Sequence, residues 1–310
     1  MKLATTTDDF REYLKDSQAL SDPLEYFRDT PFRHLDLSFL GVSYPGSVWY
    51  EPHDGWKKDA EDCAEKAAVF GFDFVQAHAP FLPYSDYYTP DTRPAYMRAI
   101  CHSIEACAML GIPHITVHGV FQYRNTPEEF IKENLRFYRE LGETAEKVGV
   151  DILIENFEDG DYGYYFRFGQ EMRQFIEEAG VPRLHACWDT GHANVRGSDQ
   201  YRDILELGSH LRALHVQDNW GTADSHVIPM VGTTNFDQVL KGLTEIGYKG
   251  SFCFEATDTL RFAGDNHHTR RDVKPDNRLA NPTIFLQQKL EWVKYEIGKW
   301  MLGTYGVFEE

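Results

Sequence analysis

The chain has 310 residues, of which 42% are hydrophobic and 14% aromatic, enough for one large core. Its 49 acidic and 31 basic residues give a formal net charge of -18, which disfavours nucleic acid or an anionic membrane as a partner. No apolar stretch is long enough for a secretory signal or a membrane span, so we expect a cytoplasmic protein. Five scattered cysteines without a C-x-x-C pair give no sign of a disulfide framework or a thiolate zinc site.

Short apolar runs alternate with longer amphipathic stretches along the chain. We predict strands at 3–7, 34–40, 73–80, 114–120, 151–157, 184–193, 211–219 and 251–257. Apolar residues at helical spacing predict helices in the gaps between them. Helices should end at the glycines that precede the next strand, which are Gly71, Gly111, Gly149, Gly180 and Gly247. Strands that alternate with helices pair in parallel, either in an open sheet or in a closed barrel.

The closed barrel fits these repeats better than the open sheet. Eight strand–helix repeats over 310 residues are typical of a (β/α)8 TIM barrel. The segment after the first strand reads DDFREYL, whereas an open dinucleotide-binding sheet should show G-x-G-x-x-G there. No linker or low-complexity tract divides the chain. We therefore predict an α/β fold in which residues 1–310 form a single TIM-barrel domain, with a C-terminal helix at about 281–303 closing the barrel.

Residues of metal-ligand type end six successive predicted strands. They are His78, His118, Glu155, Asp189 with His192, His215 and Glu255. A lone histidine or carboxylate in a strand is more often a core residue with a hydrogen-bonding or ion-pairing partner. Six such positions at one edge of a barrel are hard to obtain from packing alone, because buried carboxylates are costly without a cation. The pattern therefore predicts a functional site at the C-terminal ends of the strands.

Glu155, Asp189, His215 and Glu255 predict a divalent-metal site. They follow four successive strands, so they can converge above the barrel. Three carboxylates around one imidazole repel one another unless a cation compensates them. Oxygen-rich ligation with one nitrogen suits Mn²⁺, Mg²⁺, Co²⁺ or Zn²⁺ and leaves positions for substrate or water. The sequence does not choose among these metals.

The runs ILIEN, WDTGH, LHVQDN, DSHVIP and FCFEAT resemble the motifs of the xylose isomerase-like TIM-barrel superfamily. This superfamily contains sugar phosphate isomerases and epimerases as well as endonuclease IV. The resemblance implies that Glu155, Asp189, His215 and Glu255 bind the metal and that the two glutamates also form the acid/base pair. It further implies that His192 contacts the substrate or a second metal. The expected function is a sugar or sugar-phosphate isomerase or epimerase that transfers a proton through an enediolate.

The resemblance to endonuclease IV extends to an outer ring of possible ligands. These residues are His78, His118, His192, Asp224 and His226. They match the types that hold further zinc in that nuclease, so a zinc phosphodiesterase is an alternative. Isomerase-like members often keep such histidines, which implies that His78, His118 and His192 bind the substrate instead. A dehydratase of cyclic polyols, a lyase with the same enolising site, is a third alternative.

The loop after Glu155 bears on the choice between these alternatives. It reads EDGDYGYYFRFG (158–169), acidic and aromatic with a single Arg. Such a loop suits DNA poorly. Its rings would stack on a sugar, cover the barrel mouth or form the interface of a homo-oligomer.

Overall fold

The computed structural model describes residues 1–14, 19–81, 89–120, 126–157, 166–260 and 282–310. Eight parallel strands form its central sheet: β1 Leu3–Thr6, β2 His34–Ser38, β3 Asp73–His78, β4 His114–Thr116, β5 Asp151–Glu155, β6 Leu184–Asp189, β7 Leu211–His215 and β8 Phe252–Phe254. Each strand from β1 to β6 pairs with the next, and β1 also pairs with β8. A bridge between Val216 and Phe254 joins the ends of β7 and β8. The sheet thus closes into the predicted (β/α)8 TIM barrel.

Nine α-helices lie in the described part of the chain. They are α1 Leu24–Phe27, α2 Gly55–Phe70, α3 Arg93–Leu110, α4 Pro127–Val148, α5 Gly169–Ala179, α6 Thr190–Val195, α7 Gln200–Leu207, α8 Phe236–Glu245 and α9 Ile284–Thr304. Local chemistry sets their ends. In α4, the Thr126 side chain accepts a hydrogen bond from the Glu129 N–H, and the Glu129 carboxylate accepts one from the Thr126 N–H. Gly149 ends this helix at φ 78°, a left-handed conformation that favours glycine. None of the described helices is long and apolar enough to cross a bilayer.

Several strands end earlier than predicted, and at two strand ends a helix differs from the prediction. The helix expected after β1 is a 3-10 helix, Thr7–Tyr13, in the described residues. The strand expected at 184–193 stops at Asp189, and the short helix α6 begins directly after it. The reason is local, because the Asp189 side chain accepts a hydrogen bond from the His192 N–H at 2.6 Å and caps the new helix.

The hydrophobic core lies mainly between the barrel and its helices. Its largest fully buried side chains include Trp49, Trp56 and Trp188. The interior of the barrel is filled differently, with a small separate cluster of Leu153, Cys187 and Ala213. The buried side chains of Asp36 on β2 and Gln76 on β3 also lie inside it, because both contact β7 across the barrel. The polar interior leads upward to the C-terminal mouth, where the predicted site lies.

Helix α9 packs across β1 and the 3-10 helix at the start of the chain. A Cβ atom added at Gly298 would lie 2.7 Å from side-chain atoms of both Leu3 and Phe254, so the helix touches the barrel closely here. The buried Lys294 ammonium ion pairs with Asp9 at 2.7 Å and with Glu291 at 2.9 Å. The last helix is therefore joined to the first strand by close packing and by a buried cluster of charges.

Candidate metal centre

The strand ends bring the predicted core ligands together at the C-terminal mouth of the barrel. Glu155, Asp189 and His215 are the last residues of β5, β6 and β7, and Glu255 follows β8 directly. In the strand register Asp189 lies opposite His215. One potential ligand atom from each of the four side chains lies within 4.8 Å of those of the other three. The topology thus produces the convergence that the sequence predicted.

Glu155 lies at the centre of the cluster and has only 1% of its surface exposed. Its Oε1 lies 2.8 Å from His215 Nδ1, and its Oε2 lies 2.8 Å from His118 Nε2. His192 Nδ1 and His78 Nε2 approach the same carboxylate at 3.7 and 3.9 Å. Four imidazoles therefore surround one carboxylate.

The two glutamates of the site have different electrostatic environments. Burial alone would raise the pKa of Glu155, but the charges and hydrogen bonds of His215 and His118 hold this pKa well below its usual range. Burial raises the pKa of Glu255 to about 8, and His215 and His226 offset only part of that increase. The pKa of Asp189 is also raised, chiefly by burial. Buried acids of this kind are the groups that a bound cation would stabilise in their charged form.

Asp189 provides a direct test of whether a divalent cation fits. Its Oδ1 accepts hydrogen bonds from the His192 N–H and from Gln217 Nε2, the latter at 3.2 Å. Its Oδ2 is buried and has no hydrogen-bond partner among the described residues. In the described part of the chain, every ion-pairing partner of Glu155, Asp189 and Glu255 is a histidine. Two buried carboxylates and one partly buried one, with no lysine or arginine paired to them among the described residues, fit a metal ion as their counter-charge.

The outer-ring residues form two further groups beside the core. His78 and His118 join Glu155 in one group, with their Nε2 atoms 3.1 Å apart. His192, Asp224 and His226 form the other. Asp224 Oδ2 lies 2.6 Å from His226 Nε2 and 3.3 Å from His192 Nε2. All nine side chains predicted at the site therefore meet at one mouth of the barrel.

His226 has a strained backbone conformation and a side chain held in one orientation. Its φ of 39° is rare for a residue with a side chain, and such outliers cluster at functional sites. The ring is held because His226 Nδ1 lies 2.8 Å from the Glu255 carbonyl oxygen. The His226 carbonyl accepts a hydrogen bond from the Asp258 N–H at 2.9 Å. These contacts fix Nε2 toward Asp224.

Sequence reasoning missed several polar residues that hold the ligands in place. The side-chain amide of Asn156 forms two hydrogen bonds with the backbone of Asp189. The backbone carbonyl oxygen of Asn156 lies 2.8 Å from His192 Nδ1. Gln217 Nε2 donates to both Asp189 and Asp224. An added Cβ at Gly191 would lie 2.0 Å from Gln217 Oε1, so only glycine leaves room for this bridge. The sequence contained a signal for both, since Asn156 directly follows Glu155 and Gln217 lies two residues after His215.

Aromatic side chains line part of the same mouth. The rings of Phe81 and Phe157 lie 4.4 and 5.0 Å from the His118 ring. Phe166, a ring of the loop at 158–169, is buried and packs on Phe130 and Phe175, so it is not available to stack on a sugar. Tyr162, Tyr164 and Tyr165 of that predicted loop lie outside the described residues.

Comparison with known proteins identifies the family. The model of the xylose isomerase-like TIM barrel matches residues 36–274. The chain belongs to this family. Among xylose isomerase-like relatives, a fructoselysine 3-epimerase of Escherichia coli O157:H7 is 27% identical over 120 residues, which cover 39% of this chain and 42% of the enzyme. A probable endonuclease 4 of Nitrosopumilus maritimus is 30% identical over 123 residues, which cover 40% of this chain and 43% of that protein.

Solved structures of other xylose isomerase-like barrels share the fold over nearly the whole chain. D-psicose 3-epimerase of Clostridium cellulolyticum H10, solved with D-tagatose, has a TM-score of 0.71 at 17% identity and covers 97% of this chain and 99% of its own. The IolI protein, solved with a bound zinc atom, has a TM-score of 0.71 at 16% identity and covers 98% of this chain and 99% of its own. At these identities the likeness establishes the fold.

Proposed function

We propose that this protein is a divalent-metal-dependent sugar or sugar-phosphate isomerase or epimerase. The observation that carries the proposal is the convergence of Glu155, Asp189, His215 and Glu255, in which Asp189 keeps a buried oxygen without a hydrogen-bond partner among the described residues. Relatives of this family include a 3-epimerase, and one structural neighbour was solved with a ketose. Both findings support a small sugar as the substrate class.

The four core side chains would hold the metal, which when bound polarises a carbonyl and makes the neighbouring carbon more acidic. Glu155 and Glu255 would move the proton. They come from β5 and from the end of β8, and both approach His215 Nδ1, at 2.8 and 3.4 Å. A substrate carbon between the two carboxylates could lose its proton to one and regain it from the other. Return to the opposite face gives epimerisation, and return to the adjacent carbon gives isomerisation.

The outer histidines would bind substrate hydroxyls. His192 is positioned by its Nδ1 contact with the Asn156 carbonyl, which turns Nε2 toward the mouth and Asp224. His118 lies between the rings of Phe81 and Phe157. Apolar rings beside polar imidazoles suit the mixed surface of a sugar.

Solvent-hydrogen exchange tests the proposal. Metal-loaded protein would be incubated in D₂O with a panel of free ketoses, ketose phosphates and an inosose, and deuterium at carbon would be followed by NMR. We expect incorporation next to the carbonyl of at least one sugar, and at least about 10²-fold less in Glu155→Gln and Glu255→Gln. Glu177→Gln, an exposed glutamate paired with Arg173, is the matched control. Full exchange in Glu155→Gln would contradict the acid/base assignment, and loss of water from inosose would indicate a lyase.

A zinc phosphodiesterase is the second candidate, because the nine side chains form four groups, three of which share residues, and each group could hold a metal. The endonuclease 4 relative supports the same candidate. Zinc-loaded protein would be assayed on duplex DNA containing one abasic site, with bound zinc counted by mass spectrometry. Three zinc ions per chain and strand cleavage would favour the nuclease. One ion and no cleavage would favour the isomerase.

A further inference from the structure

Asp36 is a buried carboxylate inside the barrel that the proposed mechanism does not use. It lies in the middle of β2, is 2% exposed and has one oxygen without a hydrogen-bond partner. A carboxylate in such a position is costly unless it serves a partner. Among the described residues its one ion-pairing contact is His215, whose Nε2 lies 3.3 Å from Asp36 Oδ2. Since His215 belongs to β7, this contact spans the interior of the barrel.

Gln76 holds the Asp36 carboxylate in place. It is the register partner of Asp36 on β3. Its Nε2 donates to Asp36 Oδ2 at 2.7 Å and to the Leu214 carbonyl at 3.2 Å. Leu214 directly precedes His215, so one amide ties the carboxylate to the backbone of the strand that carries the ligand. The carboxylate cannot turn away from His215 without breaking its hydrogen bond with Gln76.

The two ring nitrogens of His215 face opposite partners. Nδ1 points up to Glu155 and Glu255, at 2.8 and 3.4 Å, and Nε2 points down to Asp36. The His78 ring stacks on the same imidazole at 5.5 Å. A histidine that binds a metal through Nδ1 must carry its proton on Nε2, and a carboxylate acceptor there fixes both the tautomer and the ring orientation.

We propose that Asp36 is a positioning residue that accepts the Nε2 proton of His215 and so directs Nδ1 to the metal. The inference rests on the proposed function, because it assumes that His215 is a metal ligand. It adds Asp36 and Gln76, which lie inside the barrel below His215, to the residues that support the metal centre. Removing the negative charge of Asp36 should weaken metal binding although Asp36 itself does not touch the metal.

Calorimetric titration of metal-free protein with Mn²⁺ tests the inference. We expect Asp36→Asn to raise the dissociation constant by about 10- to 100-fold, the usual effect of removing such a partner. Asp9→Asn, which removes another buried carboxylate that pairs with Lys294 outside the barrel, should leave the constant unchanged. In ¹⁵N-histidine-labelled, Zn²⁺-loaded protein, the His215 Nε2 proton should resonate downfield in wild type and move upfield in Asp36→Asn.

The outcomes separate this inference from the proposed function. Wild-type protein that binds no Mn²⁺ would overturn both. A second outcome is that wild type binds Mn²⁺, the dissociation constant of Asp36→Asn lies within twofold of it, and the His215 Nε2 proton resonance does not move. This outcome would overturn the role of Asp36 alone. If Asp36→Asn does not fold, Gln76→Met carries the test, because it frees the carboxylate and should weaken binding by about 10-fold. Unchanged Mn²⁺ binding in folded Gln76→Met would then reject the inference.

Discussion

At the scale of single residues, Asp189 carries a negative charge that adds little to the stability of the metal-free protein. Asp189 is fully buried with one oxygen unpaired, and burial raises its pKa. Groups of this kind are kept for function at a cost in stability. Asparagine at this position would remove the charge while still accepting the bond that caps α6.

We therefore predict opposite effects of Asp189→Asn on stability without and with metal. Metal-free Asp189→Asn should unfold at a higher urea concentration than metal-free wild type. Wild type should gain about 2.7 kcal/mol in the free energy of unfolding at a free metal concentration of 100 times its dissociation constant. The variant should gain almost nothing. Urea unfolding with and without Mn²⁺ measures both effects, and equal metal stabilisation of the two proteins would show that Asp189 is not a ligand.

The proposed metal ligands were predictable as a set, whereas the residues that lie below them inside the barrel were not. Glu155, Asp189 and His215 each end an apolar run, and that position reveals them. Asp36 and Gln76 occupy the middle of strands, where a polar residue has many explanations. Only the closed barrel shows that Asp36 reaches across to His215. A contact between β2 and β7 depends on the tertiary structure, which no local pattern encodes.

At the scale of elements, α9 packs closely on the barrel at Gly298. A Cβ there would meet Leu3 and Phe254 at 2.7 Å, and both side chains are buried. We predict that Gly298→Ala lowers the free energy of unfolding by about 1–3 kcal/mol through overpacking. Gly303→Ala in the same helix has no atom within 4 Å of the new methyl. That control should be neutral or stabilising by up to about 1 kcal/mol, and equal effects of the two changes would refute close packing at Gly298.

The buried charges beneath α9 predict a pH-dependent stability. Burial raises the pKa of Glu291 to about 8 from a usual 4.5, although Lys294 lowers it in part. The folded protein therefore keeps a proton that the unfolded chain releases. This contribution to stability is present below pH about 4.5 and is lost as pH rises toward about 8.

Glu291→Gln should remove that dependence, because an amide resembles the protonated acid at every pH. Relative to wild type, the variant should gain stability steadily between pH 5 and pH 8. Denaturant unfolding of both proteins at four pH values in this window measures the difference. A constant difference across the window would mean that Glu291 titrates normally in the folded protein.

The secondary structure was largely predictable because its signals are local. The left-handed Gly149 ends α4 at the predicted residue, and the capping box at Thr126, which begins the helix, is local as well. The short helix α6 was missed because its start depends on one side chain, Asp189, which caps the helix and is also a predicted metal ligand. The 3-10 helix after β1 was missed as well, since its apolar spacing is equally typical of an α-helix.

At the scale of the whole molecule, barrel closure is what makes the site. Parallel strands place the ends of β3, β5, β6, β7 and β8 at one mouth, and the bridge from Val216 to Phe254 completes the ring. The nine predicted side chains come from positions 78 to 255, yet they form four groups, three of which share residues. The proposed function therefore depends on a metal ion bound by Glu155, Asp189, His215 and Glu255.

Anomalous scattering from crystals grown with Mn²⁺ tests that claim most directly. We predict one strong peak at the manganese edge, bonded to the carboxylates of Glu155, Asp189 and Glu255 and to Nδ1 of His215. Asp189→Asn crystals should show a weaker peak or none at the same place. Absence of a peak among these four residues in wild type, or a peak confined to the His192, Asp224 and His226 group, would contradict the account.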